Sequence, residues 1–252
     1  MKRSSTVRAG VTATVGMLSL ALVTGCGGGS DSDAKASGSP RPSQTSASPT
    51  TAGAKALGAA ELEKLLLGQS DLPRDKIADG DDTLPRSRSE LQTDKPACAP
   101  LAFALTGLPP GDSDAGASNT VTSEERVGDS FDVTMTSVGL SSYEGDGARQ
   151  ALKAVSDGIA PCSGGFAITA KGEKMKITKV AAGKPTGVGD ESVAFVLDAD
   201  MDGEGTGSFT VEVVRVGSLV STYYAVDFAS MQSGTTSAVP LPVIDTQVRK
   251  LK

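Results

Sequence analysis

The stretch "FTVEVVRVGSLVSTYYAVDF", residues 209–228, decides the fold. Two apolar runs meet at Gly217-Ser218, a pair suited to a tight turn. The spacing predicts two antiparallel strands, 209–216 and 219–228. Upstream, "SFDVTMTSVGL", from Ser130, places Phe131, Val133 and Met135 on one side and Asp132, Thr134 and Thr136 on the other. Further strands are expected at 166–170, 175–181 and 192–198, where Val193, Phe195 and Leu197 alternate.

Helical spacing surrounds these strands. "GAAELEKLLLG", residues 58–68, puts Leu62, Leu65 and Leu66 on one face, and Gly68 is the expected stop. "DLP", from Asp71 to Pro73, follows as a turn. "PACAPLAFALTG", residues 96–107, carries Cys98 and presents Leu101 and Leu105. Asp146 is the expected N-cap of a helix with the face Ala148, Leu152, Val155 and Ile159, which runs into Cys162. "PVIDTQVRKLK" reads as a last helix. Pro242 lies in its first turn, and Arg249, Lys250 and Lys252 complement its C-terminal dipole. "GDSDAGASN", residues 111–119, reads as a loop. The fold class expected is α+β, one antiparallel β-sheet packed with helices on one side, as a single domain over residues 56–252.

The N-terminus reads differently. Lys2, Arg3 and Arg8 precede "VTATVGMLSLALV", residues 11–23. That run is too short for a membrane span of about 20 residues and fits the apolar region of a secretory signal. Val23-Thr24-Gly25-Cys26 then resembles the bacterial lipobox, with Val23 where leucine is commonest. The resemblance implies cleavage after residue 25 and diacylation of Cys26, so that residues 1–25 are a lipoprotein signal peptide. The alternative is an ordinary signal peptide with a chance cysteine. Residues 27–55, "GGGSDSDAKASGSPRPSQTSASPTTAGAK", hold no bulky apolar side chain. They are expected to be a disordered tether, with an r.m.s. span of about 30 Å.

Charge narrows the partners. The chain has 24 basic and 30 acidic residues, and loss of the signal takes its net charge from −6 to −9. An acidic chain has no electrostatic footprint for nucleic acid and gains nothing from an anionic membrane surface. The membrane is therefore reached through the lipid on Cys26. The two remaining cysteines, Cys98 and Cys162, face an oxidising exterior and are read as a disulfide. The alternative is two free thiols. A metal site has no histidine to complete it and no Cys-x-x-Cys spacing.

Catalytic chemistry finds little footing. The chain has no histidine, which removes Ser-His-Asp and Cys-His arrangements. No G-x-S-x-G elbow and no phosphate-binding loop is present; a Ser-Lys or carboxylate pair stays open as a hydrolase alternative, but no catalytic residue and no cofactor is expected. "DADMDGEGTGSF", from Asp198, matches the start of a calcium loop through Asp198, Asp200, Asp202 and Gly203. Phe209 stands where that loop needs a bidentate glutamate. An acidic hairpin tip is the plainer reading.

The order of these motifs resembles a known family. A leading helix, "DLP", a cysteine-bearing helix and an alternating strand come first. "ARQALKAVSDGIAPCSGGF", "VGDESVAF" and "VEVVRVGSLVSTYY" complete the order. This is similar to actinobacterial envelope lipoproteins related to the extracellular sensor domain of the mycobacterial serine/threonine kinase H. The resemblance covers roughly residues 60–250. It implies an antiparallel sheet with helices enclosing a cleft, and binding of an unidentified ligand. That sensor domain has two disulfides, and this chain has cysteines for one. The expected function is a non-enzymatic, membrane-anchored sensor or ligand-binding module. The alternative is an accessory subunit of an envelope complex that binds a protein and no small ligand.

Overall fold

A computed structural model describes residues 55–80, 84–113, 115–201 and 205–252. These fall in one compact unit, Pro49–Lys252. Cys26, the signal peptide and the tether lie outside the described residues, apart from Lys55.

Hairpins build the sheet. β3 (Gly116–Val127) and β4 (Ser130–Ser142) form one long hairpin. β8 (Thr206–Val216) and β9 (Leu219–Asp227) form the one read from the sequence. Its turn uses Gly217 at φ 60°, a left-handed conformation natural to glycine. β5 (Phe166–Ala170), β6 (Glu173–Ala182) and β7 (Glu191–Asp200) continue as a meander. Two short strands close the edges, β1 (Lys76–Asp79) and β2 (Leu91–Thr93). The order is β1-β3-β4-β9-β8-β7-β6-β5-β2, with every neighbouring pair antiparallel. A two-residue β10 (Thr236–Ser237) pairs in parallel with β8.

Among the described residues five α-helices complete the fold: α1 (Ala59–Leu65), α2 (Ala99–Leu105), α3 (Gly147–Ile159), α4 (Phe228–Ser233) and α5 (Leu241–Lys250). They cover both faces of the sheet, which corrects the one-sided reading. On one face Leu101, Leu105, Leu152 and Val155 pack with Phe195, Leu197, Val211 and Val213. On the other, Leu62, Val243, Ile244 and Val248 pack with Val121, Val138, Val214 and Tyr223. Val213 and Val214 are adjacent yet belong to opposite cores, as period-two geometry requires.

Three local readings also need correction. Phe131, Val133 and Met135 do share one face of β4, but Phe131 is 65% exposed and Met135 36%. β4 pairs with β9 only from Thr134 onward, so Phe131 sits on a two-stranded ribbon beyond the packed core. Thr136, expected on the polar side, is fully buried against the second core instead. The loop read over residues 111–119 is β3 from Gly116 onward.

α1 stops at Leu65, with Leu66 extended, and Gly68 takes no left-handed conformation. The orphan carbonyls at the helix end are met by distant side chains. Gln247 Nε2 donates to Leu65 O at 2.8 Å, Lys250 Nζ donates to Leu66 O at 2.8 Å, and Asn119 Nδ2 donates to Leu67 O at 2.7 Å. α5 and β3 thus replace the glycine cap. Asp146 stands at the N-cap of α3, but its carboxylate accepts from Gln150 Nε2 and not from the backbone.

Cys98 and Cys162 form a disulfide with Cα atoms 5.8 Å apart. It joins the start of α2 to the turn after α3, and both sulfurs are buried in the first core. α2 descends close to the sheet at its C-terminal end. A Cβ on Gly139 would stand 2.3 Å from Gly107 O and 2.5 Å from Thr222 Oγ1, so only glycine fits there.

Candidate functional site

The clefts follow from a mismatch of strand lengths. β1 pairs with four residues of β3, Asn119 to Thr122, while β3 itself has twelve. Among the described residues, its edge on either side of β1 pairs with no further strand. A cleft lies at each gap.

The larger cleft, about 920 Å³, lies beside Gly116, Ala117 and Ser118. The end of β1 with Gly80, the segment Leu84–Ser89 and the loop after α2 from Thr106 to Pro109 wall it. Four of its polar side chains come from "PRSRS", Pro85 to Ser89, a run to which the sequence reading assigned no role. Its alternation of arginine and serine was the available signal.

Arg88 forms the back wall. Its Nη1 donates to Gly111 O at 2.8 Å, and its guanidinium lies 4.6 Å from the Phe103 ring centroid. The Gly111 N–H in turn donates to Tyr143 Oη at 3.2 Å, and Ser141 Oγ donates to the same oxygen at 3.2 Å. Burial pushes the Tyr143 phenol above its ordinary pKa, with those two hydrogen bonds opposing. The phenol is therefore a neutral fixture that holds the Gly111 loop, and Arg88 is held through it. Arg86, Glu63 and Asp79 bring further charge of both signs to the rim. Ser87 Oγ and Ser89 Oγ are 2.9 Å apart. Such a wall can hold a polar ligand by hydrogen bonds and charge.

The smaller cleft, about 770 Å³, lies at the other gap, beside Ser123, Glu124 and Glu125. Leu72, Pro73, Pro240, Pro242 and Val243 give it an apolar side.

The two ends of the calcium pattern are strand. Asp198 and Asp200 lie on β7, paired with Ser208 and Thr206 of β8. Phe209, at the twelfth position, is buried in the first core. Asp202 and Gly203 lie outside the described residues. Among the described residues no group of three or more histidine, cysteine, aspartate or glutamate side chains is placed to hold a metal. No described helix is long and apolar enough to cross a membrane. Of the site residues read from the sequence, the structure brings Cys98 and Cys162 together, and Cys26 lies outside the described residues.

A mostly antiparallel sheet between two helical layers, with clefts along one edge, is thus the class of domain that the chain defines. No protein-family model matches it, and no curated protein matches it. Among solved structures it resembles the crystal structure of the extracellular domain of PknH from Mycobacterium tuberculosis. The identity is 15% and the TM-score 0.45, covering 78% of this chain and 97% of that one. The likeness is a distant one of fold.

Proposed function

We propose that this chain is an extracytoplasmic lipoprotein, anchored through Cys26, whose domain over residues 56–252 binds a polar small molecule without transforming it. Residues 1–25 are then the signal peptide and residues 26–55 the lipidated tether. The observation that carries the binding role is the 920 Å³ cleft beside Arg86 and Arg88. Its volume lies within the range of about 300–1,000 Å³ typical of small-molecule sites. The absence of histidine from the sequence supports a binding role over catalysis. The buried disulfide suits an oxidising compartment, in keeping with the signal sequence.

The second reading is an accessory subunit that binds a protein, and the exposed apolar side chains Phe131, Phe228 and Leu241 are the contacts open to it. Native mass spectrometry of residues 56–252 after exposure to an envelope extract separates the two. The expected result is a discrete retained adduct. Ala78, exposed and on the cleft wall, offers a blocking variant. Ala78→Trp should reduce the adduct by about tenfold or more, a loss of about 1.4 kcal/mol. A clean apo mass for both proteins, where a control binder keeps its ligand, favours the accessory-subunit reading.

A further inference from the structure

We propose that the smaller cleft takes an extended, lysine- or arginine-bearing peptide segment of a partner protein, added as a strand beside residues 123–127 of β3. This site lies across β1 from the ligand cleft and does not depend on it.

The open edge is the first support. Beyond Thr122, β3 pairs among the described residues with β4 alone, through Ser123↔Thr134 to Val127↔Ser130. In an antiparallel ladder alternate residues aim both N–H and C=O to the same side. On the side away from β4, those groups of residues 123–127 meet no strand among the described residues. An unpaired row of this kind is what an added strand recognises. β1, which lies in line with the gap, fixes where such a strand would begin.

The cleft gives that strand a place to lie. Leu72, Pro73, Pro240 and Pro242 stand along it. The proline nitrogens carry no N–H, so they offer apolar surface without competing for the ladder.

Charge then selects the occupant. Asp75, Glu124, Glu125, Asp132 and Asp227 line the cleft against one cation, Arg74. Glu125 and Asp132 are directly paired across β3 and β4, and Ser123, Thr134 and Asp227 form the next rank. Asp132 Oδ1 is buried with no hydrogen-bond partner, whereas Asp227 Oδ1 already accepts from Ser230 N. On an added strand, the residue opposite Glu125 would place its Cβ about 5 Å away. A lysine or arginine there extends the rank with opposite charge. A second copy of this chain would bring the same carboxylates to the edge, and like charges opposed across strands repel. The acidic rim therefore disfavours self-pairing.

The test uses the full chain and an end-blocked, fluorescent peptide of seven residues, lysine at the odd positions and threonine between. Binding is read by anisotropy, and backbone amide exchange locates it. The expected result is saturable binding with slowed exchange over residues 123–127. Methylating alternate peptide nitrogens keeps the charge and removes the ladder donors, and it should weaken binding by about tenfold or more. Glu125→Lys should weaken it similarly. Equal binding of the methylated peptide would reduce the interaction to charge adhesion and overturn the proposal. So would protection at residues 116–118 instead, or no binding up to millimolar peptide.

Discussion

The Asp71 carboxylate accepts from Lys250 Nζ at 2.6 Å and from Gly68 N at 2.7 Å. One side chain thereby closes the turn after α1 and ties it to the last helix. The Lys250 hydrogen bond first, and the Gly68 N–H second, hold its pKa below the ordinary value, while burial works in the other direction. Both side chains keep over a quarter of their exposure, 29% and 27%, so solvent screens the pair and its worth is about 1 kcal/mol. A depressed folded pKa adds stability above the unfolded value, near 3.9, and that stability is lost as the pH falls through the folded value. Asp71→Asn should therefore cost about 1 kcal/mol at pH 7 and much less near pH 2. Urea unfolding of both proteins at the two pH values checks this. A difference that stays constant with pH would leave only the neutral hydrogen bonds.

At the scale of elements, strongly patterned segments were legible and weakly patterned ones were not. β5 matches its reading residue for residue, and α2, α3, α5 and the β8–β9 hairpin lie where spacing and turn chemistry placed them. β3 was missed because its buried face carries Ala117, Asn119 and Val121, too small and too polar to stand out. The second helical layer was missed although "VEVVRV" hinted at it. Consecutive apolar residues in a strand mark burial on both faces, whereas strict alternation was assumed. The larger cleft was illegible for a different reason. It arises from the shortness of β1 against β3, a property of pairing and not of any one segment. The disulfide belongs to this scale, since it staples α2 to the end of α3 across a separation of 64 residues. In the chain-entropy view such a bridge is worth about 4 kcal/mol, which for a domain of this size is roughly 10 °C in Tm. Calorimetry with and without reductant should show that drop. An unchanged melt would mean that these helices are held by packing alone.

For the whole molecule, the place where the described chain enters the domain matters. Leu57 N donates to Ser142 Oγ at 2.9 Å, so the chain enters the domain at the last residue of β4. Asp132, in the smaller cleft, lies ten residues away along the same strand, about 30 Å at the usual rise. Leu57 thus meets one end of β4, and residues 123–127 of β3 lie toward its other end. The described residues that build both cores all follow residue 55. Two properties should consequently separate in the Cys26→Ser variant. The protein should move from the membrane fraction to the soluble one, since two acyl chains are what make such attachment stable. Its Tm should stay within about 2 °C of the parent protein in detergent, because a surface substitution away from any special contact moves stability by less than about 0.5 kcal/mol. Fractionation and calorimetry on the same samples read both. If Cys26→Ser remained in the membrane fraction, attachment would have to come from the domain itself, and the exposed Phe131, Phe228 and Leu241 would be the first side chains to replace.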